Sequence, residues 1–208
     1  MNIKKLSLAL LIATGSLAGC GKFLDQIPDN TLTVEDIFKS KAYVDQYLYQ
    51  VYANMPNEMG QRFVGTNYSG PWIAAADEAM YNWDFNYSNN LNASTWNTTD
   101  GTVSTYWTNY YKSIRNASDF IANIDGATSE VTALMKTRYK GEARALRAMY
   151  YFWLVRMYGP VPLIPNVIAP DASMDDIIKA RTPMDECISY IVTQLDSAYN
   201  ELDVTPAE

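Results

Sequence analysis

Apolar residues recur at helical spacing along most of this chain, and they divide it into predicted helices. A first stripe runs from Ile37 to Met55, and Thr33 with Asp36 forms a capping box at its start. Residues 57–104 have a weak period and are rich in Asn, Thr, Ser and Gly, which is typical of loop with short helical pieces. No region shows the pattern of a strand-rich sheet, so the chain is predicted to be all-α.

Helical spacing returns in the second half of the chain. One stripe runs from about Tyr106 to Ile124, and a longer helix is predicted from Ser129 to Tyr158, where proline after Gly159 ends it. Beyond the Pro-rich residues 159–170, the sequence Thr-Pro-Met-Asp at 182–185 is expected to cap a last helix. The apolar stripe of that helix comprises Ile188, Ile191, Val192, Leu195, Ala198 and Leu202.

The helix that ends at Tyr158 is apolar on nearly every side. Counted at 100° per residue, Ala143, Leu146, Tyr150, Trp153 and Met157 lie on one side, and Ala148, Phe152 and Val155 lie on the other. Its arginines, Arg144, Arg147 and Arg156, are expected to keep their heads in water or to pair with carboxylates. Such a helix needs cover on several sides, which predicts a tetratricopeptide-like stack of helical pairs around it, with residues 57–104 as a long Asn/aromatic-rich loop insertion.

The first 19 residues have the pattern of a bacterial lipoprotein signal peptide. Lys4 and Lys5 precede an apolar run that is shorter than the roughly 20 residues needed to cross a bilayer. Leu-Ala-Gly-Cys at 17–20 matches a lipobox, so cleavage before Cys20 and acylation of its thiol are expected. On this interpretation, residues 20–32 are predicted to be a lipidated tether and residues 33–208 a helical domain.

Composition narrows the chemistry further. The chain contains no histidine, which excludes histidine triads, Cys/His zinc sites and imidazole acid–base catalysis, and we expect no metal or cofactor. The net charge of −7 and the lack of a basic cluster argue against nucleic acid as a partner. Cys187, within an apolar helical pattern, is expected to be a small buried hydrophobe.

Three segments resemble the N-terminal part of the SusD/RagB family of outer-membrane nutrient-binding lipoproteins. They are Cys20-Gly-Lys-Phe-Leu-Asp followed by Pro28, the block Gly-Glu-Ala-Arg-Ala-Leu-Arg-Ala that starts at Gly141 and runs on to Val155, and Tyr-Gly-Pro-Val-Pro-Leu-Ile at 158–164. The resemblance implies a surface lipoprotein of the outer membrane that binds glycans, or peptides in some members, for a TonB-dependent SusC-like transporter. Because such proteins are usually more than twice as long, the sequence is expected to be a truncated N-terminal portion.

Residues 72–111 combine aromatic rings with asparagines, the mixture that sugar recognition requires. A ring can stack on the apolar face of a pyranose while amides and carboxylates bind its hydroxyls. The preferred ligand-binding residues are Trp96, Asn97 and Asp100, together with Trp83 and Tyr81. Trp83 and Phe85 also fit a role in pinning the loop, and four aromatics at helical spacing are expected to belong to the core, namely Tyr106, Trp107, Tyr110 and Tyr111.

Two other functional classes fit the sequence to different degrees. A helical-repeat scaffold that binds a peptide or protein fits the predicted stack equally well. A glycoside hydrolase fits poorly, because the adjacent Asp77 and Glu78, with Asp84 nearby, do not form the facing carboxylate pair that such enzymes need. The chain is therefore not expected to be an enzyme.

Overall fold

A computed structural model of the chain describes residues 32–56, 75–77, 79–82, 87–97, 99–169 and 171–202. Of the described residues, 32–36 belong to one unit and those from 37 onward belong to a second unit. The predicted signal peptide, Cys20 and all but the last residue of the predicted tether lie outside the described residues.

The capping box predicted from the sequence is present. The backbone N–H of Asp36 donates to Oγ1 of Thr33 over 3.2 Å, and the N–H of Thr33 donates to Oδ2 of Asp36 over 3.3 Å. These reciprocal bonds begin helix α1, Val34–Ile37.

The first predicted helix is interrupted between α1 and α2, Lys41–Tyr52. The carbonyl of Phe38 accepts a hydrogen bond from the N–H of Thr128 over 2.9 Å, and the N–H of Lys41 donates to Oε2 of Glu130 over 3.2 Å. Both groups are therefore used by a distant part of the chain rather than by a helical ladder. The prediction of one continuous helix to Met55 is wrong for this tertiary reason.

The remaining helices are α3, Tyr87–Asn92; α4, Gly101–Asn123, continued by a 3-10 turn, Ile124–Gly126; α5, Ala133–Tyr158; α6, Met174–Ile177; and α7, Met184–Glu201. Within the described ranges the extended pairing is limited to one isolated bridge, between Ala76 and Ala79. The all-α prediction is confirmed.

The N-caps of two helices differ from those that the sequence predicts. Helix α5 begins at Ala133 because Oγ1 of Thr132 accepts the N–H of Met135 over 3.3 Å. At α7 the expected cap Thr182 instead accepts the N–H of Leu163, over 3.2 Å, and Pro183 occupies the N-cap position without a side-chain bond. The hydroxyl of Thr182, predicted to cap α7, therefore binds the backbone of the loop that precedes this helix.

Helix α5 lies at the centre of the second unit, as predicted. It packs against α2, α4 and α7. Its antiparallel course relative to α4 follows from two contacts, one between Tyr158 and the carbonyl of Val103 and one between the rings of Tyr150 and Tyr110. Arg144 contacts Glu201 at the far end of α7, so α7 is antiparallel to α5 as well. The predicted stack of helical pairs is confirmed.

The cover on α5 is nonetheless incomplete. Ala148 and Val155 are buried as predicted, but Phe152 is 48% exposed and Met149 is exposed beside it. The expectation that Arg147 keeps its head in water or pairs with a carboxylate is also wrong, because its side chain is buried. One narrow strip of the helix therefore faces solvent in this unit, and it includes an aromatic ring.

Helix α7 has two apolar faces, and only one of them is buried. Cys187, Ile191 and Ala198 pack against α5, as predicted for these three. A second face is exposed and consists of Met184, Ile188, Val192, Leu195 and Tyr199. The prediction that Ile188, Val192 and Leu195 belong to the buried stripe is wrong, because α5 reaches only one side of α7.

Gly141 allows α5 and α7 to approach closely. A Cβ atom at this position would lie 2.9 Å from Cβ of Glu201 and 3.1 Å from Cγ of Leu202. We expect Gly141→Val to lower the free energy of unfolding by about 1 to 3 kcal/mol through overpacking, measured by urea denaturation. Gly101→Ala is the control, since nothing lies within 4 Å of that added Cβ; an equal effect of both changes would contradict the prediction.

Candidate functional site

Trp96 lies in the link between α3 and α4 and does not belong to the hydrophobic core. Its side chain is 38% exposed. The preceding residue is fixed to α3, because the N–H and hydroxyl of Thr95 both donate to the carbonyl of Asn90, over 2.9 and 3.2 Å. The link therefore holds an exposed indole close to the end of a helix, which is a suitable arrangement for stacking on a ligand.

The two polar residues predicted to accompany Trp96 have structural partners. Oδ1 of Asn97 accepts from the N–H and the hydroxyl of Thr99, over 2.9 and 2.6 Å. Oδ1 of Asp100 accepts the N–H of Val103 over 3.3 Å and thereby caps α4, which explains why this helix starts at Gly101 rather than at the predicted Tyr106. Both side chains shape the link itself. The amide Nδ2 of Asn97 has no partner among the described residues and is exposed.

The backbone of Tyr81 is hydrogen-bonded to the same short helix, α3. The side-chain amide of Asn89 on α3 accepts the N–H of Tyr81 over 3.2 Å and donates to its carbonyl over 2.9 Å. Nδ2 of Asn92 similarly donates to the carbonyl of Ala79, over 3.4 Å. Helix α3 therefore anchors the segments that carry Tyr81 and Trp96, while Trp83 lies outside the described residues. Two of the asparagines of this Asn-rich region, Asn89 and Asn92, therefore bind backbone groups.

The expected core aromatics are where the helical spacing places them. Tyr106 and Tyr110 are buried, and Trp107 and Tyr111 are half-buried against the same cluster. Burial raises the pKa of Tyr106 to about 12 because the phenolate would lose its water. These rings belong to the fold, and Trp96 is the exposed aromatic of this region among the described side chains.

Two concave sites that the sequence did not indicate lie along residues 160–169, which we call the strap. A cavity of about 450 Å³ is lined by the strap from Leu163 to Ala169 and by Ala172, Asp176 and Lys179. A smaller one of about 160 Å³ lies between the strap and α4, where Tyr111, Ile114 and Arg115 face Ile164, Asn166 and Ile168. The walls of the larger cavity are mainly aliphatic, with Asp176 and Lys179 as its charged residues. Arg115 is the charged residue that lines the smaller cavity.

Side chains from α4, from α5 and from the residues before α7 hold the strap. The hydroxyl of Tyr111 donates to the carbonyl of Pro162 over 2.8 Å, and the hydroxyl of Tyr151 accepts the N–H of Ile164 over 2.8 Å. Arg181 donates to the carbonyls of Tyr158 and Pro160 and stacks over the ring of Trp107, 5.8 Å from its centroid. The partners are far apart in sequence, so no local pattern could reveal this site.

The structure describes one of the three carboxylates that the sequence offered for hydrolysis. Asp77 lies in a turn, and Glu78 and Asp84 fall outside the described ranges. The described side chains also contain no group of three His, Cys, Asp or Glu residues with the spacing of a metal site. None of the described helices combines the length and apolarity that crossing a membrane would require.

A family model described as SusD-like, starch-binding and associating with the outer membrane, matches residues 22–206. Among curated proteins, SusD-like protein P2 of Formosa agariphila is 28% identical over 202 residues, which are 94% of this chain and 38% of the relative. A SusD-like protein of Bacteroides ovatus is 24% identical over 206 residues, covering 97% and 36% of the two chains. The chain thus spans under two fifths of the length of these relatives.

Solved structures share the fold. A laminarin-binding SusD-like protein superposes with a TM-score of 0.66 at 22% identity, over 82% of this chain and 36% of its own. A SusD-like protein of Bacteroides fragilis has a TM-score of 0.63 at 22% identity, with 88% and 34% of the chains covered. A structure solved with a xylogluco-oligosaccharide has a TM-score of 0.56 at 18% identity, with 79% and 30% covered.

Proposed function

This chain belongs to the SusD-like family, and we propose that it binds oligo- or polysaccharides at the cell surface and delivers them to a TonB-dependent SusC-like transporter in the outer membrane. The observation that carries the proposal is the exposed indole of Trp96 on a link anchored at both ends. An aromatic face combined with the exposed amide Nδ2 of Asn97, which has no partner among the described residues, suits a pyranose ring and its hydroxyls. Two similar structures, by their names, bind laminarin or hold a xylogluco-oligosaccharide.

The proposed location follows from the N-terminal sequence. The family is associated with the outer membrane. We propose that Cys20 is acylated after removal of residues 1–19, and that residues 20–32 tether the helical unit to the membrane at the cell surface. Transport across the membrane would belong to the transporter, and this chain would supply capture of the ligand.

The proposal is one of binding without catalysis. The family description names binding and association. In the described residues the carboxylate of Asp100, close to Trp96 in sequence, caps a helix by accepting the N–H of Val103. The ligand would therefore leave this chain chemically unchanged.

Trp96→Ala tests the glycan site. We expect this change to weaken binding of an oligosaccharide at least about tenfold, because truncation removes the stacking face. A tenfold loss of affinity corresponds to about 1.4 kcal/mol. Isothermal titration of a panel that includes laminarin and xyloglucan oligosaccharides measures the effect. Tyr49→Ala, which removes an exposed ring from α2, is the control. Equal affinity of the Trp96 variant and the native chain for every glycan bound would contradict the assignment.

A second candidate function, capture of a peptide, is favoured by one specific observation. The strap cavities are walled mainly by aliphatic side chains such as Leu163, Ile164 and Ile168, and Tyr111 adds one aromatic ring to the smaller cavity. Aliphatic walls suit apolar side chains, and Asp176 with Lys179 adds charges of both signs at the larger cavity. A helical-repeat scaffold that binds a protein segment would use the same features. Titration with a peptide library alongside the glycan panel separates these functions, since only a peptide binder should respond to substitutions in the strap.

A further inference from the structure

Arg147 occupies an unusual position for a charged residue. It lies on α5, its side chain is only 6% exposed, and burial lowers the pKa of its guanidinium. Removing a cation from water has a large free-energy cost unless its N–H groups find acceptors. The contacts that compensate this cost indicate what the residue does.

The guanidinium of Arg147 bonds to three different parts of the second unit. Nη1 donates to Oγ of Ser118 on α4 and to the carbonyl of Pro165 in the strap, each over 3.0 Å. Nη2 donates to Oε1 of Gln194 on α7 over 2.6 Å. All three acceptors are neutral, and no carboxylate lies within 4.0 Å of Arg147 in the described part of the chain.

Arg144, one turn earlier on α5, provides a contrast. Its Nε and Nη2 donate to the two carboxylate oxygens of Glu201, each over 2.9 Å, and its Nη1 donates to Gln194 over 3.4 Å. This is an ordinary bidentate ion pair between two helices. Arg144 has no bond to the strap, so both arginines of α5 bond to Gln194 on α7, but only Arg147 also reaches α4 and the strap.

We propose that Arg147 is a positioning residue that fixes the strap between α4 and α7 and thereby sets the shape of the two cavities along it. The planar guanidinium presents several N–H donors in fixed directions, so one side chain can hold a hydroxyl, a carbonyl and an amide oxygen at once. The carbonyl of Pro165 lies between Ile164 and Asn166, which line both cavities. Displacing this carbonyl therefore moves a wall that the two cavities share.

The arrangement also explains why an ion pair would serve less well here. A carboxylate would bind Arg147 as a single strong partner. The guanidinium would then no longer need the carbonyl of Pro165, and the strap could move away from it. Three neutral acceptors are each weaker, and the buried cation keeps all of its acceptors only when the three elements are in place, because its Nε has no acceptor among the described residues. The position of the strap is thus coupled to the packing of α4 and α7 against α5. The inference does not depend on which ligand the cavities bind.

Amide hydrogen exchange followed by NMR tests the proposal on the 208-residue chain without any ligand. The reporter is the N–H of Ile164, which is protected by the hydroxyl of Tyr151 while the strap is in place. We expect Arg147→Met to accelerate exchange at Ile164 at least about tenfold relative to the amide of Leu48 in the core of α2, because the strap opens locally. Arg147→Lys is expected to accelerate it about threefold or more, since one ammonium cannot span all three acceptors.

Arg144→Met is the matched control and should leave the Ile164 to Leu48 ratio within about twofold of the native value. Three results would overturn the proposal: an unchanged ratio in the Arg147 variants, an equal change in Arg144→Met, or parallel acceleration of Leu48 that shows general destabilisation. If Arg147→Met does not fold, the same criteria applied to Arg147→Lys decide the question. Failure of glycan or peptide binding would not affect this result, because the exchange rates are measured on the free chain.

Discussion

Replacing Trp153 by alanine is expected to destabilise the helical unit by about 3 to 5 kcal/mol, the cost of deleting a large buried aromatic ring. Trp153 lies in the C-terminal part of α5 and is 6% exposed. Its ring stacks on Tyr110 of α4 with centroids 5.8 Å apart and meets Tyr150 edge-on at 5.6 Å. Alanine would remove both aromatic contacts and leave a cavity between two helices that cannot close without moving α4.

Phe152 supplies the matched control for Trp153. The two aromatics are adjacent in sequence, but Phe152 points to the strip of α5 that is exposed. Phe152→Ala is expected to change the free energy of unfolding by less than about 1 kcal/mol in the 208-residue chain. Chemical denaturation of both variants, followed by circular dichroism, makes the comparison. A loss below about 1 kcal/mol for Trp153→Ala would show that α5 is not the centre of the unit.

This pair of residues also shows how far the fold follows from the sequence. Helical spacing correctly predicts that α5 exists and is central, because apolar side chains lie on nearly every side of its C-terminal half. Spacing does not reveal which neighbours cover each side, so Phe152 and Val155 look equivalent in the sequence although only Val155 is buried. The break after α1 was hidden for a related reason, since Phe38 is a good helical residue whose carbonyl is taken by Thr128.

The candidate site was predictable to a similar extent. Composition pointed to the region around Trp96, and its indole is exposed in a link, as a binding residue requires. The roles of Asn97 and Asp100 were less visible, because both residue types are common in turns and caps as well as in sugar sites. The strap cavities could not be predicted, since they depend on contacts such as the bond of Arg147 to the carbonyl of Pro165. These residues are 18 positions apart, and Pro165 lies in a segment without helical spacing.

Cys20→Ser is expected to move the protein almost completely from the membrane fraction to the soluble fraction. Each methylene that an acyl chain buries in the bilayer contributes about 0.8 kcal/mol, and two or more chains anchor a protein stably where one does not. Serine at position 20 removes the thiol that lipoprotein processing modifies, so this contribution is lost as a whole. Expression in a bacterium that processes lipoproteins, followed by labelling with palmitate and by fractionation, measures both acylation and location.

Cys187→Ser is the control that separates the anchor from the other thiol. Cys187 is buried on α7, where its Sγ lies 3.5 Å from the carbonyl of Val161 and 3.4 Å from that of Thr182. A hydroxyl can donate to the same carbonyls, so this variant should keep its palmitate label and stay with the membrane. If the Cys20 variant were still labelled and membrane-bound, acylation would occur elsewhere, and residues 20–32 could not be the tether. If neither the native chain nor the Cys187 variant were labelled, the lipobox interpretation of residues 17–20 would be wrong, while the helical unit and its strap would be unaffected.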